Sequence, residues 1–400
     1  MRNSVDLSVD YCGVHFENPF ILAAAPPSDE LEMVKTAFRM GWAGAVLKTT
    51  SVESEEVPLV YPMMSSTHLE DKNLAWMGNI DLISEHHVDE IERRVRELKK
   101  EFPNKIVITS IMGSRKEEWQ SLVQRLEAAG SDMIECSFSC PQGTLGSKPG
   151  MMLGQNPEAS KEVAGWVKAA AKKIPVVIKI TPQVADITEI AQKLKEAGVD
   201  GLCASNTIPS LVGIDIENFV PYPNVNGKST YSGLSGPAIK PITLRTIAEI
   251  ARHCDLPITG TGGATTWSDA VEFFAVGARN IQMCTAVMQY GYRIIDDLTS
   301  GLANYMERKG FKRVSEMYGL ALPNIVGHDK LPRGHKVVSR LDQELCVGCG
   351  RCYLSCRDGG HMAIRFGEDR KVAIDEEKCL GCAMCTLVCP VEGCMSLAYV

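Results

Sequence analysis

Aromatic residues are scarce in this chain: Phe, Trp and Tyr together make 6% of its 400 residues. A core of this size must therefore be filled mainly by aliphatic side chains. Long apolar runs are missing as well. No stretch reaches the roughly 18 consecutive apolar residues that mark a membrane span. The start, MRNSVDLSVDYCGVHF, lacks the basic-then-apolar order of a signal peptide. Positive charge is not in excess: 42 Lys and Arg against 49 Asp and Glu leave a net −7, and the pI is near 5.7. That balance argues against a nucleic-acid surface. No G-x-G-x-x-G turn follows a candidate strand, and no acidic residue sits at the matching later position. A dinucleotide-binding fold is therefore not expected. With 45% hydrophobic residues and a mean hydropathy of −0.04, the chain can bury one large core plus a small module.

Cysteine, by contrast, is abundant. Cys346, Cys349, Cys352 and Cys356 are spaced C-x2-C-x2-C-x3-C. Cys379, Cys382, Cys385 and Cys389 repeat that spacing, and Pro390 follows. Three thiolates on one tight turn can reach three corners of a cubic cluster, but the fourth corner needs a distant residue. In a two-cluster ferredoxin each run's fourth cysteine crosses to the other cluster. The expected [4Fe–4S] ligand sets are thus Cys346, Cys349, Cys352 and Cys389, and Cys379, Cys382, Cys385 and Cys356. The competing readings are paired four-cysteine zinc sites or a disulfide framework. Zinc usually pairs two C-x2-C knuckles across a long gap rather than taking three cysteines from one loop. Fifteen cysteines less these eight leave seven: Cys12, Cys136, Cys140, Cys203, Cys254, Cys284 and Cys394. Free thiols beside iron–sulfur ligands imply a reducing compartment, the cytoplasm.

From residue 1 to about 320, short β-branched runs alternate with helix-patterned segments. The candidate strands are Phe20–Ala24, Ala45–Thr49, Ile106–Ile111, Met133–Phe138, Val176–Ile180, Gly201–Ala204, Ile258–Thr261 and Ile281–Cys284. Amphipathic helices are expected between them, for example over Asp89–Glu101, Lys116–Ala129, Pro157–Lys173 and Pro241–His253. Such alternation implies a parallel sheet with right-handed crossovers, and eight units match an α/β fold of the (β/α)8 TIM-barrel type. An open doubly wound sheet is the alternative. The expected domains are a barrel over 1–323, a Pro- and Gly-bearing linker over 324–340, and a ferredoxin-like module over 341–400.

In a barrel, functional residues gather just beyond the C-terminal ends of the strands. Reading those positions gives Lys48 and Thr49 in LKTTS, Asn79 in WMGNIDLISE, Gly113 after strand three, and Ser137 with Cys140 in CSFSCP. Further along lie Lys179 in VVIKI, Ser205, Asn206 and Thr207 in ASNTI, then Gly262, Gly263, Cys284 and Thr285. Glycines after strands seven and eight, with Gly236 in SGLSGPA, suit a phosphate. Two interior lysines suit a flavin, whose reduced N1–C2=O edge carries negative charge. Cys140 lies between a strand and a Gly-rich loop. Its thiol, ordinarily with a pKa near about 8.5, is mostly protonated at neutral pH and can serve as a general acid.

At these residues the chain resembles the dihydropyrimidine dehydrogenase family, in the form of its bacterial iron–sulfur/FMN subunits. The resemblance runs through ILAAAPP, LKTTS, GNIDLIS, SFSCPQG, KITPQVADI, ASNTI, NGKSTYSGLSGPAIKP, TGGATTW and MQYGYRIIDD into CVGCGRCYLSCRDGGH. The wider relatives, dihydroorotate dehydrogenases, share the barrel and FMN site without the two-cluster tail. The resemblance implies that FMN is held by Ala25, Lys48, Thr49, Lys179, Ser205, Gly236, Gly262, Gly263, Cys284 and Thr285. It implies Cys140 as the catalytic residue, and Asn79, Ser137, Asn206 and Thr207 as contacts to a pyrimidine. Ser137 departs from the family, which has Asn there; a hydroxyl is shorter and lacks the amide's donor pair. The implied reaction is reduction of the C5=C6 bond of uracil or thymine. Electrons would come from NAD(P)H through a partner FAD/iron–sulfur flavoprotein subunit and the two clusters, with no role for nucleic acid or membrane. The alternatives are a dihydroorotate-type dehydrogenase, a reductase of another cyclic enamide or imide, and a non-catalytic electron-transfer subunit.

Overall fold

In the computed structural model, residues 5–52, 59–69, 73–138 and 153–400 are described. Eight parallel strands close into a barrel. They are β1 (Phe20–Leu22), β2 (Gly44–Thr50), β3 (Ile106–Ile111), β4 (Met133–Ser137), β5 (Val176–Ile180), β6 (Gly201–Ala204), β7 (Ile258–Thr261) and β8 (Ala278–Met283). Each pairs with its neighbour in sequence, and β8 returns to β1. Closure excludes the open doubly wound sheet. The intervening helices are α1 (Leu31–Arg39), α2 (Val88–Glu101), α3 (Lys116–Ala129), α4 (Pro157–Ala170), α5 (Ile187–Glu196), α6 (Lys240–His253), α7 (Trp267–Ala275), α8 (Thr285–Tyr290) and α9 (Ile294–Lys309).

Local chemistry sets the helix limits. Asn156 accepts from the Ala159 N–H at 3.1 Å with Pro157 following, so α4 begins there. Thr266 caps Asp269 N at 3.2 Å while the Asp269 carboxylate accepts from Thr266 N at 2.8 Å, a reciprocal start for α7. The core is aliphatic, as the aromatic shortage requires. Strands such as Ile106–Ile111 and Val176–Ile180 are buried along their whole length because helices cover their outer faces. Each fully buried Val, Leu or Ile contributes roughly 1.5–3 kcal/mol. An N-terminal hairpin, Val9–Tyr11 with Val14–Phe16, covers the barrel at the end where β6 begins. There Tyr11 Oη donates to the Leu202 carbonyl at 2.9 Å.

One feature was not expected from the sequence. A four-stranded antiparallel sheet, ordered Ile208–Ser210, Ser232–Ser235, Leu74–Asn79, Met64–His68, joins the excursions after β6 and β2. Asn79 ends one of its strands rather than lying in a loop.

The chain divides into two compact units, Met1–Asn324 and Ile325–Val400. The expected linker over 324–340 is corrected at its end. Val337–Leu341 forms a strand that pairs antiparallel with Met395–Tyr399, so this segment belongs to the second unit. Its β-branched VV outweighs the Pro and Gly that precede it, and Val338 and Ser339 are both buried. The second unit also holds helices Arg351–Gly359 and Met384–Val388 and a hairpin, Ile364–Phe366 with Val372–Ile374. No helix among the described residues is long and apolar enough to cross a membrane.

Candidate active site and cluster sites

A cavity of about 1240 Å³, counting its open mouth, lies at the C-terminal end of the barrel. Every described barrel residue singled out for flavin or ring binding lines it: Ala25, Lys48, Thr49, Asn79, Ser137, Lys179, Ser205, Asn206, Thr207, Gly236, Gly262, Gly263, Cys284 and Thr285. Cys140 falls outside the described residues. Gly113 does not line the cavity; it packs on Trp119. The chain leaves β4 at Ser137, and the Gly154 N–H returns to the Phe138 carbonyl at 2.8 Å.

The outer sheet builds one wall. Its register sets Asn79 opposite Gly233, and a Cβ on Gly233 would strike the Thr207 side chain. Asn79 and Thr207 are thereby brought together from excursions after β2 and β6. Asn79 Oδ1 accepts from the Asp81 N–H at 2.7 Å, which leaves its amide NH2 to donate toward a ligand carbonyl. Asn206 Oδ1 accepts from the Thr207 N–H at 2.8 Å.

Lys48 sits on β2 with its side chain 6% exposed, between Asp29 Oδ2 at 3.0 Å and Asp81 Oδ2 at 2.9 Å. Burial opposes its charge, but the two carboxylates outweigh it and hold its pKa above the ordinary lysine value. Ser84 Oγ donates to Asp29 Oδ1 at 2.6 Å and fixes that carboxylate. Lys179 is buried on β5; burial again opposes charge, and Glu135 Oε1 at 3.8 Å restores it, so its pKa also lies above the usual value. Burial pushes the Cys284 thiol up to about 12, so it stays protonated and is no nucleophile. Asp81, Asp29, Glu135 and Gln282 were missed in the sequence. The signal that found Lys179, a charged residue inside an apolar run, was also present at Glu135 in MIECS.

These residues fit FMN. Ser205 Oγ, Gln282 Oε1 and Asp81 Oδ1 are buried without a hydrogen-bond partner among the described residues, and all three residues line the cavity. Buried polar atoms of this kind mark ligand positions. Gly262 and Gly263, with φ of 117° and 91°, turn the chain tightly against the start of α6, where phosphate-binding loops of barrels lie.

In the second unit, a smaller cavity is lined by Cys346, Cys349, Cys352 and Cys389, together with Cys394. Those first four are one of the expected ligand sets. Of the other set, Cys379 and Cys385 flank Ser339, whose N–H donates to Cys379 Sγ at 3.3 Å and whose Oγ is 3.0 Å from Cys385 Sγ. Cys382 is exposed, and Cys356 Sγ accepts from the Ala363 N–H at 3.3 Å. Helices Arg351–Gly359 and Met384–Val388 pack together; the first carries Cys352 of one set and Cys356 of the other, and the second carries Cys385 and is followed by Cys389. N–H···S bonds of this type accompany cluster ligation. Among the described residues every cysteine is a free thiol, which removes the disulfide reading.

Residues 6–306 match the dihydroorotate dehydrogenase family, and residues 339–397 match the 4Fe-4S dicluster domain. The chain is 42% identical, over 99% of its length and 96% of the relative's, to the NAD-dependent dihydropyrimidine dehydrogenase subunit PreA of Escherichia coli (strain K12). It is 35% identical to the chloroplastic dihydropyrimidine dehydrogenase (NADP(+)) of Arabidopsis thaliana, over 83% of this chain and 80% of that one. It is also 35% identical to the catalytic subunit of dihydroorotate dehydrogenase B (NAD(+)) of Pyrococcus abyssi, over 79% of this chain and 99% of that one.

Proposed function

This chain belongs to the family of dihydroorotate and dihydropyrimidine dehydrogenases, and from that premise we propose that it reduces the C5=C6 bond of uracil or thymine. It is an oxidoreductase acting on CH–CH bonds, with FMN and two [4Fe–4S] clusters as cofactors. The observation that carries the ring assignment is the cavity wall that Asn79 and Thr207 both line, each beside Gly233. A pyrimidine presents alternating carbonyls and N–H groups in one plane, and side-chain amides and hydroxyls match that alternation.

When bound, FMN supplies a hydride to one carbon of the double bond. The chain's own residues do the rest. Lys48 and Lys179 provide positive charge, and Ala25, Thr49 and Ser205 border the same space. Gly236, Gly262, Gly263, Cys284 and Thr285 hold the phosphate. Asn79, Ser137, Asn206 and Thr207 orient the ring. Cys140, three residues beyond Ser137, delivers a proton to the adjacent carbon and recovers it from water. Cys346, Cys349, Cys352 and Cys389 would hold one [4Fe–4S] cluster and Cys379, Cys382, Cys385 and Cys356 the other; such clusters would supply single-electron transfer, with a separate NAD(P)H-oxidising flavoprotein subunit as the electron source. The lack of a dinucleotide-binding turn supports that division of labour, as does the name of the E. coli relative, a subunit. A reducing, cytoplasmic setting suits the free thiols.

The shorter Ser137 leaves room for a substituted ring such as orotate, which is the second reading. Turnover with uracil, thymine and orotate, measured with a reducing partner, separates them. Cys140→Ala should keep FMN and lower turnover by about 100-fold, the size of a lost general acid. Uracil and thymine turning over no faster than orotate would overturn the ring assignment, and full turnover by Cys140→Ala would return that thiol to a structural role.

A further inference from the structure

Beneath the cavity floor is a buried acid that the proposed reaction does not use. Glu135, on β4, is 1% exposed. Its Oε2 accepts from Gln282 Nε2 on β8 at 2.6 Å. Its Oε1 has no hydrogen-bond partner among the described residues and faces Lys179 Nζ at 3.8 Å. Glu135 lies two residues before Ser137, so it shares that residue's inward face one layer deeper. Ser137 in turn pairs with Lys179 across β4 and β5. A carboxylate in so dry a place is costly unless an opposite charge answers it, and the same holds for the ammonium.

Among the described residues, the titratable groups facing Lys179 include Glu135 from β4, Cys203 from β6 and Cys284 after β8. Both thiols are kept neutral by burial, Cys284 pushed up to about 12 and Cys203 well above the ordinary value. The cavity's other lysine, Lys48, is already matched by Asp29 and Asp81. Among the described residues, Glu135 is the carboxylate placed to offset the burial of Lys179, which by itself drives an amine toward neutrality.

We propose that Glu135 is a positioning residue for the flavin: it keeps Lys179 charged in the cavity that would hold FMN and so sets how strongly the barrel prefers the reduced over the oxidised cofactor. This rests on the placing of Lys179 at the flavin given above. The N1–C2=O edge of a reduced flavin is anionic, so a permanent ammonium in the same cavity would favour reduction. Without Glu135 that ammonium loses its proton as pH rises through the lowered amine pKa, and the preference for reduced FMN falls with it.

Spectroelectrochemical titration of FMN in the holoprotein, from about pH 6 to about pH 9, tests this with Glu135→Gln, Glu135→Asp, Lys179→Met and the double variant Glu135→Gln/Lys179→Met. Gln keeps the shape and the bond to Gln282. At the alkaline end, Glu135→Gln should favour oxidised FMN by at least about tenfold relative to the native chain, which is about 30 mV for a two-electron couple. The difference should shrink at the acid end, where the amine is reprotonated. Glu135→Asp should follow the native profile. Adding Glu135→Gln to Lys179→Met should change nothing further, and this pair of measurements holds even if the single Gln variant does not fold. A Glu135→Gln potential equal to or above native throughout, an Asp variant that behaves as Gln, or a further shift in the double variant each overturns the inference. A native potential in Lys179→Met would overturn instead the placing of Lys179 at the flavin.

Discussion

Removing the Lys48 ammonium leaves two carboxylates facing each other in a nearly dry pocket. The Asp81 side chain is 2% exposed and that of Asp29 14%, so neither can turn to water for compensation. Breaking a buried pair by deleting one partner typically costs about 3–5 kcal/mol. Lys48→Met should therefore lower the melting temperature of the barrel and yield protein depleted of FMN, read by the flavin absorbance that co-purifies. Native flavin content and stability together would remove Lys48 from both roles. The lysine itself was legible in the sequence because a charged residue at the end of an apolar strand invites a functional reading. Its partners were not. Asp29 lies in a polar turn, PPSDE, and Asp81 in GNIDLIS; in neither does local pattern separate a buried acid from a surface one. Only the fold brings residues 29, 48 and 81 together.

Among elements, the turn after β7 depends on a residue that cannot be enlarged. Gly263 has φ of 91°, and a Cβ there would lie 2.6 Å from Lys240 N and 2.7 Å from Lys240 Cα, backbone atoms at the start of α6. Neither can yield as a flexible side chain would. Gly263→Ala should move the turn away from α6, cost about 1–3 kcal/mol, and weaken FMN binding by loss of the proposed phosphate contacts. Gly227→Ala makes a control, because Gly227 also has a positive φ, 84°, yet nothing lies within 4 Å of its Cβ. It should keep FMN. Binding titrations of the two apoproteins decide the matter, and equal affinity would remove the turn from the site. The eight barrel strands were readable because short runs, most of them apolar or β-branched, alternate with helix-length segments. The outer sheet was not. Its strands include MSSTH, whose polar, half-exposed residues carry no periodic signal, and its pairing joins segments more than 150 residues apart, such as Met77 and Ser235.

At the scale of the whole molecule, the two units differ in what holds them folded. The barrel has a large aliphatic core. The second unit's buried cluster consists of Val338, Ala363, Ile364, Val372 and Met395 together with Cys352, Cys356, Cys379 and Cys385. Four of these nine residues are expected cluster ligands, so the iron–sulfur groups take the place of much of an apolar core. The cysteine spacing announced this in the sequence, whereas the strand Val337–Leu341 was hidden behind a linker-like composition. Cys349 is exposed, so Cys349→Ser disturbs little packing while removing one cluster ligand. Iron should fall from about eight to about four per chain, the content of one [4Fe–4S] cluster in place of two. With a flavoprotein partner and NADH, bleaching of the FMN in this variant should be abolished in a stopped-flow trace. Dithionite should still reduce the flavin, because the barrel does not need the cluster to bind it. In the native chain, NADH alone should leave the FMN oxidised, and the partner should restore reduction. Rapid bleaching by NADH in the isolated native chain would contradict the two-subunit route. Undiminished NADH-driven reduction in Cys349→Ser, with iron at about four, would instead restrict the route to the remaining cluster.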